Sequence, residues 1–323
     1  MTAARMHRRH ALATLLLPSL ARAQSTERPV KLVVPYAAGG TFDQMGRFVA
    51  QGLQERAGGT WVVDNRTGAG GLIAAASAAR ARPDGETLFL AAWAQLVAAP
   101  HLSRDPGFDP HTAFDFIGGV GNIHLMLVVR PDLGVNSFAD FIAMAKASGG
   151  RLNFGTAGAG SMAHLATELF CKDFGFTATH VAFRGLAQVV TEMLAGRIDF
   201  MLDALLGVQF VRDGKLKGLG VTGQQRWPGV PGVPSFRELG RPDLDRYISP
   251  IVLLAPAGMA AAPLAQLRRW TRELMATEDM QRKVWGIAFE PAYTEPEPLR
   301  RQLGEDWRTF GRVIRELGLE AGN

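Results

Sequence analysis

Two stretches decide how this chain folds: Val30-Lys-Leu-Val-Val-Pro-Tyr-Ala-Ala-Gly-Gly-Thr-Phe-Asp-Gln-Met45 and Arg151-Leu-Asn-Phe-Gly-Thr-Ala-Gly-Ala-Gly-Ser-Met-Ala-His164. Each passes from an apolar, strand-like run through a glycine-rich loop into helical periodicity. After the first loop, Phe42, Met45, Val49 and Leu53 recur at helical spacing. After the second, Met162, Leu165, Ala166, Leu169 and Phe170 give the i, i+3, i+4, i+7, i+8 stripe of a core-facing helix. The pattern continues along the chain. Strands are expected over residues 30–34, 61–64, 87–91, 125–129, 151–154, 180–183, 198–202 and 251–254. Helices are expected over 41–56, 72–82, 138–147, 162–172, 186–194, 263–275 and 298–317. Such alternation predicts an α/β protein with doubly wound, mostly parallel sheets. No internal sequence repeat is evident.

Three glycine-rich loops open helices, and each has the makings of an anion seat. Exposed amide N–H groups and the positive end of a helix dipole attract negative charge there. In Pro35–Asp43, Thr41 reads as an N-cap and Gln44 as its capping-box partner, while Gly39 and Gly40 turn the backbone. Asn65-Arg-Thr-Gly-Ala-Gly-Gly71 repeats the logic without a box, and Arg66 either meets an anion or faces water. In Gly155–His164, Ser161 is the expected N-cap, and His164 falls off the core stripe beside the loop. The dipole there disfavours an imidazolium, so a neutral, hydrogen-bonding His164 is expected, with an exposed first-turn histidine as the alternative. A tight strand-to-helix turn with no ligand fits each loop as well.

Charge gives no reason to expect nucleic acid. The 323 residues carry 35 Lys+Arg against 30 Asp+Glu, a formal +5, and the pI is near 9.7. Residues 1–23 hold Arg5, Arg8, Arg9 and Arg22 and no acid, so the rest has 31 bases against 30 acids. That first segment has a charged head, the apolar run Ala11–Leu17 and an Ala21-Arg-Ala23 site. This is the grammar of a secretory signal peptide, with cleavage expected after Ala23. Its apolar run is too short to span a bilayer, which takes roughly 20 residues. Arg8-Arg9 leaves twin-arginine export open beside the general route. The single cysteine, Cys171, makes no internal disulfide and offers no lipid-anchoring site at the new N-terminus. The expected location is periplasmic.

Searches for catalytic chemistry return little. There is no G-x-S-x-G elbow. His101, His111, His124, His164 and His180 form no zinc-binding spacing, so neither a metal nor a cofactor is expected. Gly158-Ala-Gly-Ser-Met-Ala163 matches G-x-G-x-x-A, but the next strand ends in Arg184-Gly185 rather than an acid. That leaves only a minor NADP-type reading, which export disfavours.

Taken in order, the pieces resemble one family. They are Val33-Val-Pro-Tyr-Ala-Ala-Gly-Gly-Thr-Phe-Asp43, Val63-Asp-Asn-Arg-Thr-Gly-Ala-Gly-Gly71, Pro83-Asp-Gly85, Phe154-Gly-Thr-Ala-Gly-Ala-Gly-Ser161 with His164, Phe183-Arg-Gly185, Gly196-Arg-Ile-Asp199 and Gly214-Lys-Leu-Lys217. Each is weak alone; their order and spacing are specific. Over nearly all of the mature chain this resembles the Bug-type (TctC-like) extracytoplasmic solute-binding proteins of tripartite tricarboxylate transporters.

The resemblance implies a two-lobed periplasmic binding protein of the Venus-flytrap, type II-like kind. Residues 24–124 plus 250–323 would form lobe 1 and 125–249 lobe 2, with crossing strands near 125–130 and 248–254. It implies a non-enzymatic, monomeric receptor that captures a small carboxylate (mono-, di- or tricarboxylate, or an acidic amino acid) and passes it to membrane transporter subunits. The ligand-binding residues carried over are Tyr36, Ala38, Gly39, Gly40, Thr41 and Asp43 in the first loop. In the second lobe they are Gly158, Ala159, Gly160, Ser161 and His164, then Arg184 and Gly185. Asp203, after the strand 198–202, would repel an acid but accept an ammonium group; an ordinary strand-end acid is its other reading. Ala182 departs from the family's usual proline and Glu86 from its usual aromatic. Two other functions remain open at this level: an exported hydrolase using Ser161 and His164, and a sensor subunit that reports ligand to a signalling partner.

Overall fold

The apolar run of the first strand is buried on both faces, as a strand covered by helices on each side must be. Leu32, Val33 and Val34 are each no more than 1% exposed. Because successive side chains point to opposite faces, Leu32 and Val34 enter one core cluster while Val33 enters another. A computed structural model describes residues 28–204 and 207–320. The signal segment expected over residues 1–23 and its cleavage site lie outside the described residues.

Among the described residues, ten strands form two sheets. They are β1 (Val30–Val34), β2 (Trp61–Asn65), β3 (Thr87–Ala92), β4 (Phe114–Ile123), β5 (Met126–Val129), β6 (Asn153–Thr156), β7 (Thr179–Ala182), β8 (Phe200–Asp203), β9 (Lys217–Val221) and β10 (Ser249–Pro256). The first sheet runs β2-β1-β3-β10-β4 and the second β7-β6-β8-β5-β9. In the first, β2, β1 and β3 are parallel and β10 is antiparallel to both neighbours. In the second, β7, β6 and β8 are parallel and β5 is the reversed strand. The protein is therefore a two-lobed α/β molecule with one strand order used twice.

The reversed strand is the one that follows each passage between sheets. The chain leaves the first sheet after Ile123 and enters the second at Met126; it returns to the first at Ser249. Each sheet carries helices on both faces. In the first lobe, Thr41–Ala57 and Ala261–Met275 cover one face, and Leu72–Ala79 and Pro296–Glu316 the other. In the second, Phe138–Ala147 and Met162–Phe174 cover one face and Leu186–Leu194 the other.

Periodicity did not foretell β4 and β9, because both are interrupted by glycine, which weakens a strand pattern. Packing explains those glycines. A Cβ on Gly118 would lie 2.7 Å from the Tyr293 ring. The segment that includes Glu290 and Thr294 bridges to Asn122 and Gly119 of β4. A Cβ on Gly220 of β9 would lie 2.3 Å from the Phe236 ring, and Ser235 bridges to Val221. In both lobes the glycine-bearing strand lets an irregular segment lie directly against the sheet.

Candidate functional site

The carboxyl end of β1 leads into the first glycine loop. Thr41 is the first residue of the helix Thr41–Ala57, and Gly40 occupies the N-cap with no side-chain cap. The capping box expected from Thr41 and Gln44 is therefore replaced by another arrangement. Asp43 folds back so that its Oδ2 accepts the Gly39 N–H at 2.9 Å. The same oxygen accepts Arg47 Nε at 2.9 Å, and Oδ1 accepts Asn65 Nδ2 at 3.0 Å. Asp43 is only 2% exposed. Burial works to raise its pKa, but donation from Arg47, Gly39 and Asn65 prevails and holds the carboxyl below its usual range. Asp43 thus braces the loop, and it consumes the Gly39 amide. The first-turn amides that follow have no intrahelical partner.

Tyr36, Ala38, Gly40 and Thr41 line a cavity of about 370 Å³ with Phe42, Ile123 and Phe289. Ala204 lines it from the second lobe, directly after β8. The site is therefore between lobes, beside the passage from β4 to β5. The Tyr36 ring packs on Phe42 with centroids 4.8 Å apart. Burial around its hydroxyl raises the phenol pKa, opposed by the hydrogen bond with Gln95.

Gln95 joins the candidate site without having been marked by any sequence motif. It lies three residues beyond β3 and is 1% exposed. Its Nε2 donates to Tyr36 Oη at 3.2 Å and to the Gly70 carbonyl at 3.1 Å. Its Oε1 is buried with no partner. A polar residue just past the carboxyl end of a central strand is the signal that marks it. The second glycine loop consequently buttresses Tyr36. Arg66 there is bound to Asp64 at 2.8 Å and also donates to Ser77, so it does not wait for an anion.

The third loop has the N-cap that its sequence implies: Ser161 Oγ accepts the His164 N–H at 3.3 Å. His164 is 4% exposed, which removes the reading of an exposed first-turn residue. Its Nδ1 accepts the Gly160 N–H at 3.0 Å. Its ring stacks on His180 with centroids 3.7 Å apart and 15° between planes. His180 Nε2 lies 2.6 Å from Thr156 Oγ1, which donates to the Gly158 carbonyl at 3.0 Å. Burial, then the neighbouring His164, push the His180 pKa down to about 4. A Cβ on Gly160, where φ is +73°, would lie 2.9 Å from Leu102 of the first lobe. Gly160 therefore marks an inter-lobe contact, while Ala159 is exposed.

Arg184 and Gly185 do not line that cavity, and Asp203 directly precedes Ala204, which does. Arg184 is exposed at the end of β7, and its N–H donates to Gln188 Oε1 at 3.0 Å. Gly185 is the N-cap of Leu186–Leu194. Asp203 ends β8 opposite Met126; its side chain lies outside the described part. The passage beside the cavity carries a polar network instead. His124, 3% exposed, places Nδ1 2.8 Å from the Thr222 carbonyl and Nε2 2.8 Å from Glu290 Oε2. Burial acts to raise the Glu290 pKa, but His124 and Asn122 hold it below the usual range.

Residues 45–319 match the family described as the tripartite tricarboxylate transporter family receptor, TctC. The chain belongs to that family. Solved structures similar to this receptor agree in fold and length. The Rpa4515 protein of R. palustris, solved with adipate, is 29% identical, with a TM-score of 0.73 over 92% of this chain and 99% of that one. The periplasmic binding protein BugD is 28% identical, with a TM-score of 0.70 over 91% and 99%. MatC of Rhodopseudomonas palustris, with bound malate, is 25% identical, with a TM-score of 0.70 over 90% and 99%.

Proposed function

We propose that this receptor captures a small carboxylate between its lobes and delivers it to membrane transporter subunits, without catalysing a reaction. The observation that carries this reading is the cavity at the start of Thr41–Ala57. It joins a helix N-terminus from one lobe to Ala204 from the other. A ligand that touches both lobes favours their closed arrangement, because only that arrangement supplies both sets of contacts. Adipate and malate in the similar proteins make dicarboxylates the first class to test. The proposed lobes are residues 24–124 with 250–323, and 125–249.

In the proposed site, Tyr36, Ala38, Gly40 and Thr41 present the ligand surface, and Asp43 keeps Gly39 in its turn. On the other lobe Gly158, Ala159, Gly160 and Ser161 complete the grip when the lobes move together, with His164 shaping their loop from behind. Arg184, exposed after β7 and followed by Gly185, would attract the second carboxylate of a longer acid once the lobes close. The likeness to the periplasmic binding protein BugD and the leader grammar of residues 1–23 support export. The hydrolase reading is weakened by Ser161 and His164 themselves: Ser161 Oγ accepts a backbone N–H, and His164 Nδ1 accepts another.

Ligand-stripped protein should show a raised Tm with one or more of adipate, malate, citrate and glutamate. At 100 times its Kd a bound acid stabilises by about 2.7 kcal/mol. No shift with any of the four, in protein that unfolds cooperatively, would remove the proposal for these carboxylates.

A further inference from the structure

The long helix Pro296–Glu316 buries Leu299, Leu303, Phe310, Val313 and Ile314 and leaves its opposite side in water. Arg308, Arg312 and Arg315 stand on that side at i, i+4 and i+7, all exposed. None of the three has a carboxylate within 4 Å among the described residues, whereas Arg300 of the same helix reaches Asp115 at 3.8 Å. The helix dipole accounts for Arg315 in the last turn. Arg312 also attracts Glu316 four residues on, though without reaching it at 4 Å, and neither feature accounts for Arg308, which repels Arg312 at i, i+4.

The three arginines line a cavity of about 610 Å³. Trp307 and His101 form part of its wall, with ring centroids 3.9 Å apart and planes tilted by 39°. Gly311 makes room for that wall, since a Cβ there would lie 2.6 Å from His101 Cε1. Among the described residues, Glu305 is the one acid lining the cavity. Glu316 is close by; it is engaged with Lys172 at 2.8 Å and also feels the charge of Arg312 and Arg315, while Glu320 acts on His101.

We propose that this Arg308–Arg312–Arg315 cavity is the docking surface for an acidic segment of the membrane-embedded transporter partner, a role that rests on the receptor reading above. Arginine beside a tryptophan in a concavity is the composition of a protein–protein hot spot. Three arginines fall short of the four to eight basic residues that typify binding to an anionic lipid surface. The helix also suits the role mechanically. Through Glu316 and Lys172 it touches the second lobe, so the docked element and the lobe arrangement share one rigid rod.

The test uses the mature protein and its cognate transporter membrane subunits in phosphatidylcholine nanodiscs, with binding read by interferometry. Wild type should bind with an affinity that falls as salt rises. The R308E/R312E/R315E variant should bind at least about tenfold more weakly, and R308K/R312K/R315K should retain most of the affinity. Equal binding by wild type and the glutamate variant overturns the proposal, as does no binding by wild type. Equal wild-type binding to transporter-free phosphatidylglycerol nanodiscs overturns it in favour of lipid. Thermal shifts with adipate and malate, run on all three proteins, keep the two readings apart. Unchanged shifts with lost docking support a separate docking surface, whereas absent shifts in wild type remove the carboxylate reading itself.

Discussion

The two glycine loops solve one mechanical problem with opposite chemistry. In the first lobe the Gly39 N–H is accepted four residues on by Asp43, which pairs four residues further on with Arg47. In the second the Gly160 N–H is accepted four residues on by His164, whose Nε2 lies 3.6 Å from Glu168, again four further on. Glycine, acceptor and counter-group occupy matching places in lobes with the same strand order. One acceptor is a carboxylate held in its charged form; the other is an imidazole that must keep Nδ1 unprotonated to accept. Each glycine loop is thereby shaped by spending one amide on its own helix, with a different acceptor in each lobe.

The largest expected difference comes from filling each loop. Gly40 has open space, with only the Ala37 carbonyl 3.6 Å from a Cβ built there. Gly40→Asp should therefore leave the unliganded Tm nearly unchanged while weakening carboxylate binding by at least about 100-fold, through like charge at the amide seat. Gly160→Asp should behave differently. Its positive φ and its contact with Leu102 cost about 2 kcal/mol of stability, seen as a lower Tm without ligand. Equal losses of stability in both variants would break the contrast.

Acid should separate the lobes next. His180 has its folded pKa lowered to about 4 from an ordinary 6.5. The unfolded chain thus takes up the proton first, and stability is lost as pH falls from about 6.5 towards 4. Asp43 is lowered from 3.8, so its contribution is lost only below that value. Melting curves from pH 7 to 4.5 should show a Tm decline that His180→Asn makes shallower, because the substituted amide no longer titrates. An unchanged slope would show that the stacked histidines do not set the acid response of the second lobe.

The smallest effect expected is at Gln95. Gln95→Leu removes the partner of Tyr36 Oη and of the Gly70 carbonyl, but also a buried oxygen that has no partner. These oppose each other, so stability should change by under about 1 kcal/mol. Carboxylate affinity should fall by a few-fold as Tyr36 loses its anchor, measured by calorimetry with the acid that gives the largest thermal shift. Unchanged affinity would limit Gln95 to packing.

Much of the fold was legible because most strands are short apolar runs and most helices carry a clear stripe. The helices Phe138–Ala147 and Leu186–Leu194 occur with the expected bounds. β4 and β9 were not legible, since the reason for Gly118 and Gly220 lies in Tyr293 and Phe236, 175 and 16 residues away. The matching strand order of the lobes also leaves no sequence repeat, because order is a property of pairing and many apolar residues satisfy one pairing. At the site, the loops and Ser161 as a cap were readable from local residue types. The roles of Asp43 and His164 were not, because a side chain's hydrogen-bond partner depends on which way the loop turns.

By itself the sequence determined the alternation of strands and helices, the three glycine loops at strand ends and the family. Those follow from local preference and from apolar spacing, which neighbours in sequence carry. Only the tertiary structure decided that Gly39 and Gly160 spend their amides on Asp43 and His164. It also decided that Ala204 from the second lobe joins Tyr36 and Thr41 from the first in one cavity. The physical reason is that a buried hydrogen bond and a shared cavity are set by positions in space, which residues far apart in sequence reach only after both sheets have formed.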